Sequence, residues 1–241
     1  MISKEKCILI FSFIIQSLLM QVRAAEGDVY NFSWLDPDKE VFVLQNRKYR
    51  KVDRLHLNLG FGKTTSGAFV DSMTIQGRAG YFFHENWGAE FVFAKNDGEE
   101  NGTASSIRGN GVSAGTVPFR RIIDNYYGGM LMWSPFYSKI NTFNKIIYVD
   151  WLLGLGFAKL TETNNLREFK TTNSIASTET LDHTALMWDA GMKVYLSQHF
   201  EVRLDLTVLH FKAPKATRTA AEGESVWNSN WDLALSLGYT F

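Results

Sequence analysis

Apolar and polar residues alternate along this chain with a period of two, and the pattern restarts repeatedly. In the first segment Leu55, Leu57, Leu59 and Phe61 share one face, with His56, Asn58, Gly60 and Gly62 on the other. In the second, Met73, Ile75, Ala79 and Tyr81 oppose Thr74, Gln76, Arg78 and Gly80. In the third, Trp87, Ala89, Phe91 and Phe93 oppose Gly88, Glu90 and Val92. The fourth, "DNYYGGMLMWS", is less regular. The fifth sets Ile147, Val149, Trp151, Leu153, Leu155 and Phe157 against Tyr148, Asp150, Gly154 and Gly156. The sixth sets Leu186, Trp188, Ala190, Met192 and Val194 against Asp189, Gly191 and Lys193. The seventh sets Phe200, Val202, Leu204, Leu206 and Val208 against Glu201, Arg203, Asp205 and Thr207. The eighth, "WDLALSLGYTF", puts Leu233, Leu235, Leu237, Tyr239 and Phe241 opposite Asp232, Ala234, Ser236 and Gly238. Such alternation is the signature of strands with one apolar face.

Each segment is near the roughly 9–11 residues that a tilted strand needs to cross a bilayer. The connections differ by side: "HEN" and "SQH" are short, whereas residues 95–120, 161–182 and 212–230 are long and polar. Short turns on one side and long loops on the other predict an all-β fold, an antiparallel up-and-down transmembrane β-barrel of eight strands. Ten strands result if "EVFVL" and "TVPFRRI" also pair. The connection "KTTSGAF" is short for its side, and the turn around Pro135–Asn144 is long for its own. Alternation alone does not say which face points inward, so a soluble lipocalin-like barrel is the alternative. The glycines of the polar faces and the tryptophans of the apolar faces favour the membrane form. Small residues suit a narrow interior, and Trp87, Trp133, Trp151, Trp188 and Trp231 sit near strand ends as an aromatic girdle. Closure requires the last strand to pair with the first.

The start of the chain adds a targeting element. Lys4 and Lys6 precede an apolar run from Ile8 to Met20, followed by Val22-Arg23-Ala24, which reads as a cleaved signal peptide over residues 1–24. The single cysteine, Cys7, leaves with it. Residues 25–52 are then a periplasmic N-terminal segment and 53–241 the barrel. The signal carries three basic residues and one acidic, so the 25 of each become 22 and 24, a net charge of −2. This is no footprint for nucleic acid.

The lead-in "EVFVLQNRKYRKVDRLHLNLGFG", the stretch "YFFHENWGAEFVFA" and the turn "WSPFYSKINTFNKIIYVDWLLGLG" carry a resemblance. Over residues 40–241 the chain resembles the outer-membrane β-barrel domain family common in deltaproteobacteria and Bdellovibrio-like bacteria. The resemblance implies a barrel with its lead-in and both termini in the periplasm, and it implies no activity. The ending Leu237, Tyr239, Phe241 also resembles the C-terminal signal read by the barrel assembly machinery.

Candidate chemistry lies on the inner face. Arg78, Glu90, Asp150, Asp189, Lys193, Glu201, Arg203, Asp205 and Asp232, with His56, form a prospective lumen charge network, because charges away from bulk water must pair. Such a network is either a plug or the constriction of a narrow pore. No catalytic set emerges from the five histidines: His84 and His199 lie in short turns, and His183 and His210 lie near the long-loop rim. An outer-membrane lipid hydrolase is therefore the least favoured class. The Gly-x-Gly pairs lack a strand-to-helix phosphate loop, which removes nucleotide binding. "NDGEEN" at 96–101 reads as a solvated loop, with a site for calcium or lipopolysaccharide phosphates as the alternative. No cofactor or metal is expected. The reading is a non-enzymatic outer-membrane surface, scaffold or binding protein acting through its long loops, with a narrow passive channel as the alternative. Its expected partners are outer-membrane lipid and lipopolysaccharide, the assembly machinery, and a periplasmic protein at the lead-in.

Overall fold

The computed structural model describes residues 29–30, 41–42, 47–65, 67, 69–109, 117–142, 145–170, 178–217 and 224–241. The signal peptide expected at 1–24 lies outside them. The chain divides into two compact units, Met1–Lys48 and Tyr49–Phe241. In the first, β1 (Val29–Tyr30) pairs antiparallel with β2 (Val41–Phe42). The second begins at Tyr49 rather than residue 53, because Tyr49 and Lys51 pack into the barrel mouth.

The wall is built from β3 (Arg54–Thr65), β4 (Val70–Phe82), β5 (Trp87–Glu100), β6 (Arg121–Trp133), β8 (Lys145–Asn164), β9 (Glu179–Tyr195), β10 (Phe200–Pro214) and β11 (Ser225–Thr240). Neighbours in sequence pair antiparallel, β11 returns to β3, and β6 pairs with β8. The eight strands therefore close on themselves, and every wall strand has a partner on both sides. The short strand β7 (Tyr137–Thr142) pairs only with the base of β8 and is no part of the ring. The ten-strand alternative fails on both candidates. Val41–Phe42 pair with Val29–Tyr30, and residues 117–120 of "TVPFRRI" are not strand.

Strands of 12 to 20 residues exceed a bilayer crossing; the wall strands run on at the long-loop end, and β8 extends at the short-turn end as well, where it pairs with β7. "NDGEEN" is not a loop: Asn96–Glu100 continue β5 and pair with Val70–Thr74. The outward face changes character along the wall. Apolar side chains such as Leu59 (69 % exposed), Leu155 and Leu235 give way to the exposed pairs Lys63–Asp71 and Lys159–Asp182, each at 3.7 Å. The upper wall thus stands in water above an apolar band.

The inner face departs from simple alternation in three places. The irregular fourth segment contains a bulge at Asp124: the register slips between Ile123 and Asn125, so Arg121 and Ile123 face inward and then Tyr126, Met130 and Met132 do. Val149 and Val208, expected on the outer face, are buried. β7 and β9 flank Val149, while Val208 pairs with Trp188 and Trp231, whose rings meet edge-on at 5.9 Å. The interior is also not polar throughout. Ile123, Leu160, Met187, Leu209 and Phe211 form a buried apolar plug on the β6, β8, β9 and β10 side.

The inward glycines make room for particular side chains. A Cβ on Gly80 would collide with the His56 imidazole, and one on Gly191 with the Asp205 carboxylate, whereas Gly77 and Gly129 face open space. Gly80→Val and Gly191→Val are expected to destabilise the barrel by about 1–3 kcal/mol, the range for overpacking. Gly129→Ala should leave it unchanged. Urea unfolding in detergent, followed by heat-modifiable migration on gels, checks both.

Candidate functional site

Strand alternation places an inward side chain at every second residue, and a closed ring of eight strands brings opposite walls within side-chain reach. Arg78 on β4 and Asp189 on β9 stand four strands apart, on opposite sides of the ring, yet Arg78 Nη2 donates to Asp189 Oδ2 at 2.9 Å. Arg203 on β10 and Glu90 on β5 are likewise opposed, and Arg203 Nη1 and Nη2 donate to the two Glu90 oxygens at 2.5 and 3.1 Å. Arg78 Nη1 also donates to Glu90 at 2.8 Å and Arg203 Nε to Asp205 at 2.6 Å, whereas Arg78 Nε makes no hydrogen bond and lies 3.8 Å from Asp205. His56 Nε2 lies 2.9 Å from Glu90, and Thr207 Oγ1 donates to Asp189 at 2.7 Å. These arginine and carboxylate side chains have no exposed area.

Toward the short-turn end, Lys193 pairs with Glu201 at 2.7 Å, and Thr240 donates to Glu201 at 3.1 Å. Beyond them lies a seal in which the expected Asp150 meets residues that strand periodicity did not single out. Lys51 enters the mouth and meets Asp150 at 2.8 Å and Ser134 Oγ at 2.6 Å, while Tyr195 donates to the same Asp150 at 2.6 Å. Tyr49 stacks on Tyr195 at 4.7 Å and meets Tyr148 edge-on at 5.2 Å. Asp53, at φ 58°, makes the tight turn from this seal into β3.

Toward the long-loop end, Asp232 accepts from Asn230 at 2.8 Å. Above the apolar plug a second bridge crosses the ring. Arg121 on β6 meets Glu162 at 2.7 Å and donates to Asn228 on the opposed β11 at 2.6 Å and to the Pro214 carbonyl at 2.9 Å. Arg121 was hidden from the alternation by the Asp124 bulge. Glu162 was within reach, because the inward parity of Asp150, Gly154 and Gly156 continues to it without interruption.

On the outside, Trp87 and Trp133 stack at 5.9 Å near the short-turn end, with Trp151 on β8, and Trp188 and Trp231 meet further toward the long loops. Leu237 and Tyr239 face outward on β11, Tyr239 lies between His199 and Phe241, and the Phe241 amide donates to the Leu55 carbonyl at 2.9 Å.

Residues 45–241 match the model of the outer membrane protein beta-barrel domain. The chain belongs to that family. An outer-membrane location follows for this barrel. It is similar to the N-terminal β-barrel domain of Pseudomonas aeruginosa OprF at 14% identity, covering 79% of this chain and 98% of that one with a TM-score of 0.45. It is also similar to Ail, the attachment invasion locus protein of Yersinia pestis (14% identity, 79% and 99% covered, TM-score 0.41). OprG from Pseudomonas aeruginosa matches at 12% identity over 81% and 99%, with a TM-score of 0.46. No curated protein matches the chain.

In this outer-membrane barrel, Arg203→Leu would leave Glu90 and Asp205 without their nearest cation in a site closed to water. Breaking one partner of a buried pair costs about 3–5 kcal/mol. The expected outcome is a lower midpoint in guanidinium unfolding at an unchanged slope. An unchanged midpoint would mean that water reaches the network.

Proposed function

We propose that this protein is a closed outer-membrane barrel, a non-enzymatic surface and binding protein whose lumen is structural and whose working surface is the long-loop end. The observation that carries this reading is the pair of arginine–carboxylate contacts across the full width of the ring, Arg78–Asp189 and Arg203–Glu90. Side chains that meet from opposite walls with no exposed area leave little room for a hydrated ion. The Lys51–Asp150 seal and the Arg121 bridge to Glu162 and Asn228 repeat the closure toward either end.

The non-enzymatic part draws on His210, the rim histidine that lies beside a serine. Its Nε2 lies 3.0 Å from Trp188 Nε1, and its Nδ1 lies 2.7 Å from Ser229 Oγ. An indole nitrogen only donates, so Nε2 accepts and the proton sits on Nδ1, facing the hydroxyl. A histidine in that tautomer cannot take the proton of Ser229. In this reading both termini lie in the periplasm, where Lys51 and Tyr49 tie the lead-in and any periplasmic partner to the barrel. Leu237, Tyr239 and Phe241 serve recognition by the assembly machinery. The tryptophans fix the barrel's depth in lipid and lipopolysaccharide, and the lead-in motif ties it to the deltaproteobacterial members of the family.

Planar-bilayer recording of the refolded chain tests the closed lumen. The expected outcome is a barrel that inserts and stays silent. Steady openings with an ion selectivity that changes on Arg203→Ala would put the narrow channel in first place instead.

A further inference from the structure

The long-loop mouth is not flat. Phe69, Ile107, Val117, Phe119 and Phe169 surround a cup of about 550 Å³, with Arg121 and Asn228 among its lining residues. That volume lies within the range of small-molecule sites, on the order of 300–1,000 Å³, and so does a mostly apolar lining with a few polar groups. The lining comes from four different connections, and hydrogen bonds pin three of them. The Asn101 amide donates to the Phe69 carbonyl at 3.1 Å, and the Asn101 side chain accepts from Ala104 at 3.0 Å, holding α1 (Gly102–Gly109) beside the β3–β4 turn. Asn165, fully buried, accepts from the Arg120 amide at 2.8 Å and donates to the Pro118 carbonyl at 3.0 Å. The Phe169 amide returns to the Asn165 carbonyl at 2.9 Å, so α2 (Leu166–Lys170) and residues 118–120 form one wall, with Phe119 and Phe169 edge-to-face at 5.9 Å.

We propose that this cup binds a small, uncharged, apolar molecule carrying a ring. The charge of the ligand follows from the arginines. Arg120 is paired with Glu100, and Arg121 with Glu162, Asn228 and the Pro214 carbonyl, so neither cation offers itself to an anion. The Arg121 guanidinium instead lies 5.2 Å from the Phe119 ring centre and packs as a flat surface. Three phenylalanine rings in the lining, Phe69, Phe119 and Phe169, favour a planar guest. The proposal rests on the closed-lumen reading, since Arg121 would otherwise border an open path.

The test is a methyl-resolved NMR titration of the isoleucine- and valine-labelled chain in lipid nanodiscs, using 1-naphthol as the probe. Saturable shifts concentrated on Ile107, Val117 and Val70 are expected, and Val117→Trp, which fills the cup, should weaken binding at least tenfold. The anionic probe 1-naphthalenesulfonate should bind at least tenfold more weakly. Shifts that grow without saturation and are largest on lipid-facing Ile75 would mean bilayer partitioning only and would overturn the proposal, as would no shift at the cup. Tighter binding of the sulfonate would overturn the uncharged class. Bilayer recording of the same preparation separates the two readings. A silent barrel without saturable shifts overturns the cup alone, whereas steady openings overturn the closed lumen and the cup with it.

Discussion

In hydrocarbon an unpaired peptide N–H costs several kcal/mol, so a spanning sheet has to close, and the pairings of β11 with β3 and of β6 with β8 are the constraint on which the other features of this protein depend. Closure with eight strands fixes a narrow interior. It also turns the outer face over to lipid, which is why Leu59, Leu155 and Leu235 are exposed while Arg203, Asp205 and Glu90 are not. β7 shows the same constraint from the other side. It pairs only with the base of β8, beyond the last β6–β8 pair at Trp133 and Leu153, where the wall is already complete.

A narrow interior lined by charges is stable only if every charge finds a partner within it. Arg78 and Arg203 share Glu90, Asp189 and Asp205 among them, and each guanidinium reaches both its own side of the ring and the far one. Arginine suits this work because its planar fork offers several donors in fixed directions. A buried network of this kind gives less net stabilisation than well-packed apolar side chains would, since the desolvation of its ions offsets much of their attraction. The apolar plug of Leu160, Met187, Leu209 and Phe211 supplies that packing in the same lumen.

The two ends of the barrel are built differently. At the short-turn end the chain upstream of β3 folds back into the mouth, so that Lys51 answers Asp150 and Tyr49 stacks on Tyr195. At the long-loop end the wall strands run on past the apolar band and, among the described residues, carry two short helices held by Asn101 and Asn165. One end is a seal and the other a cup.

Periodicity in the sequence determined the strands, their faces and the membrane-barrel class, because burial in a sheet repeats every two residues and leaves a local mark. It placed Arg78, Glu90, Asp189, Lys193, Glu201, Arg203 and Asp205 on inward positions for the same reason. It misread what periodicity does not encode. The Asp124 bulge left the fourth segment irregular and kept Arg121 out of view, "NDGEEN" looked like a loop because its inward Asn96 is as polar as its outward Asp97 and Glu99, and Val208 is covered by indoles from two other strands. Which charge meets which was decided only by the closed tertiary structure. Arg78 and Asp189 are 111 residues apart, and Arg203 and Glu90 113, and their contacts exist because ring closure sets opposed walls one side chain apart.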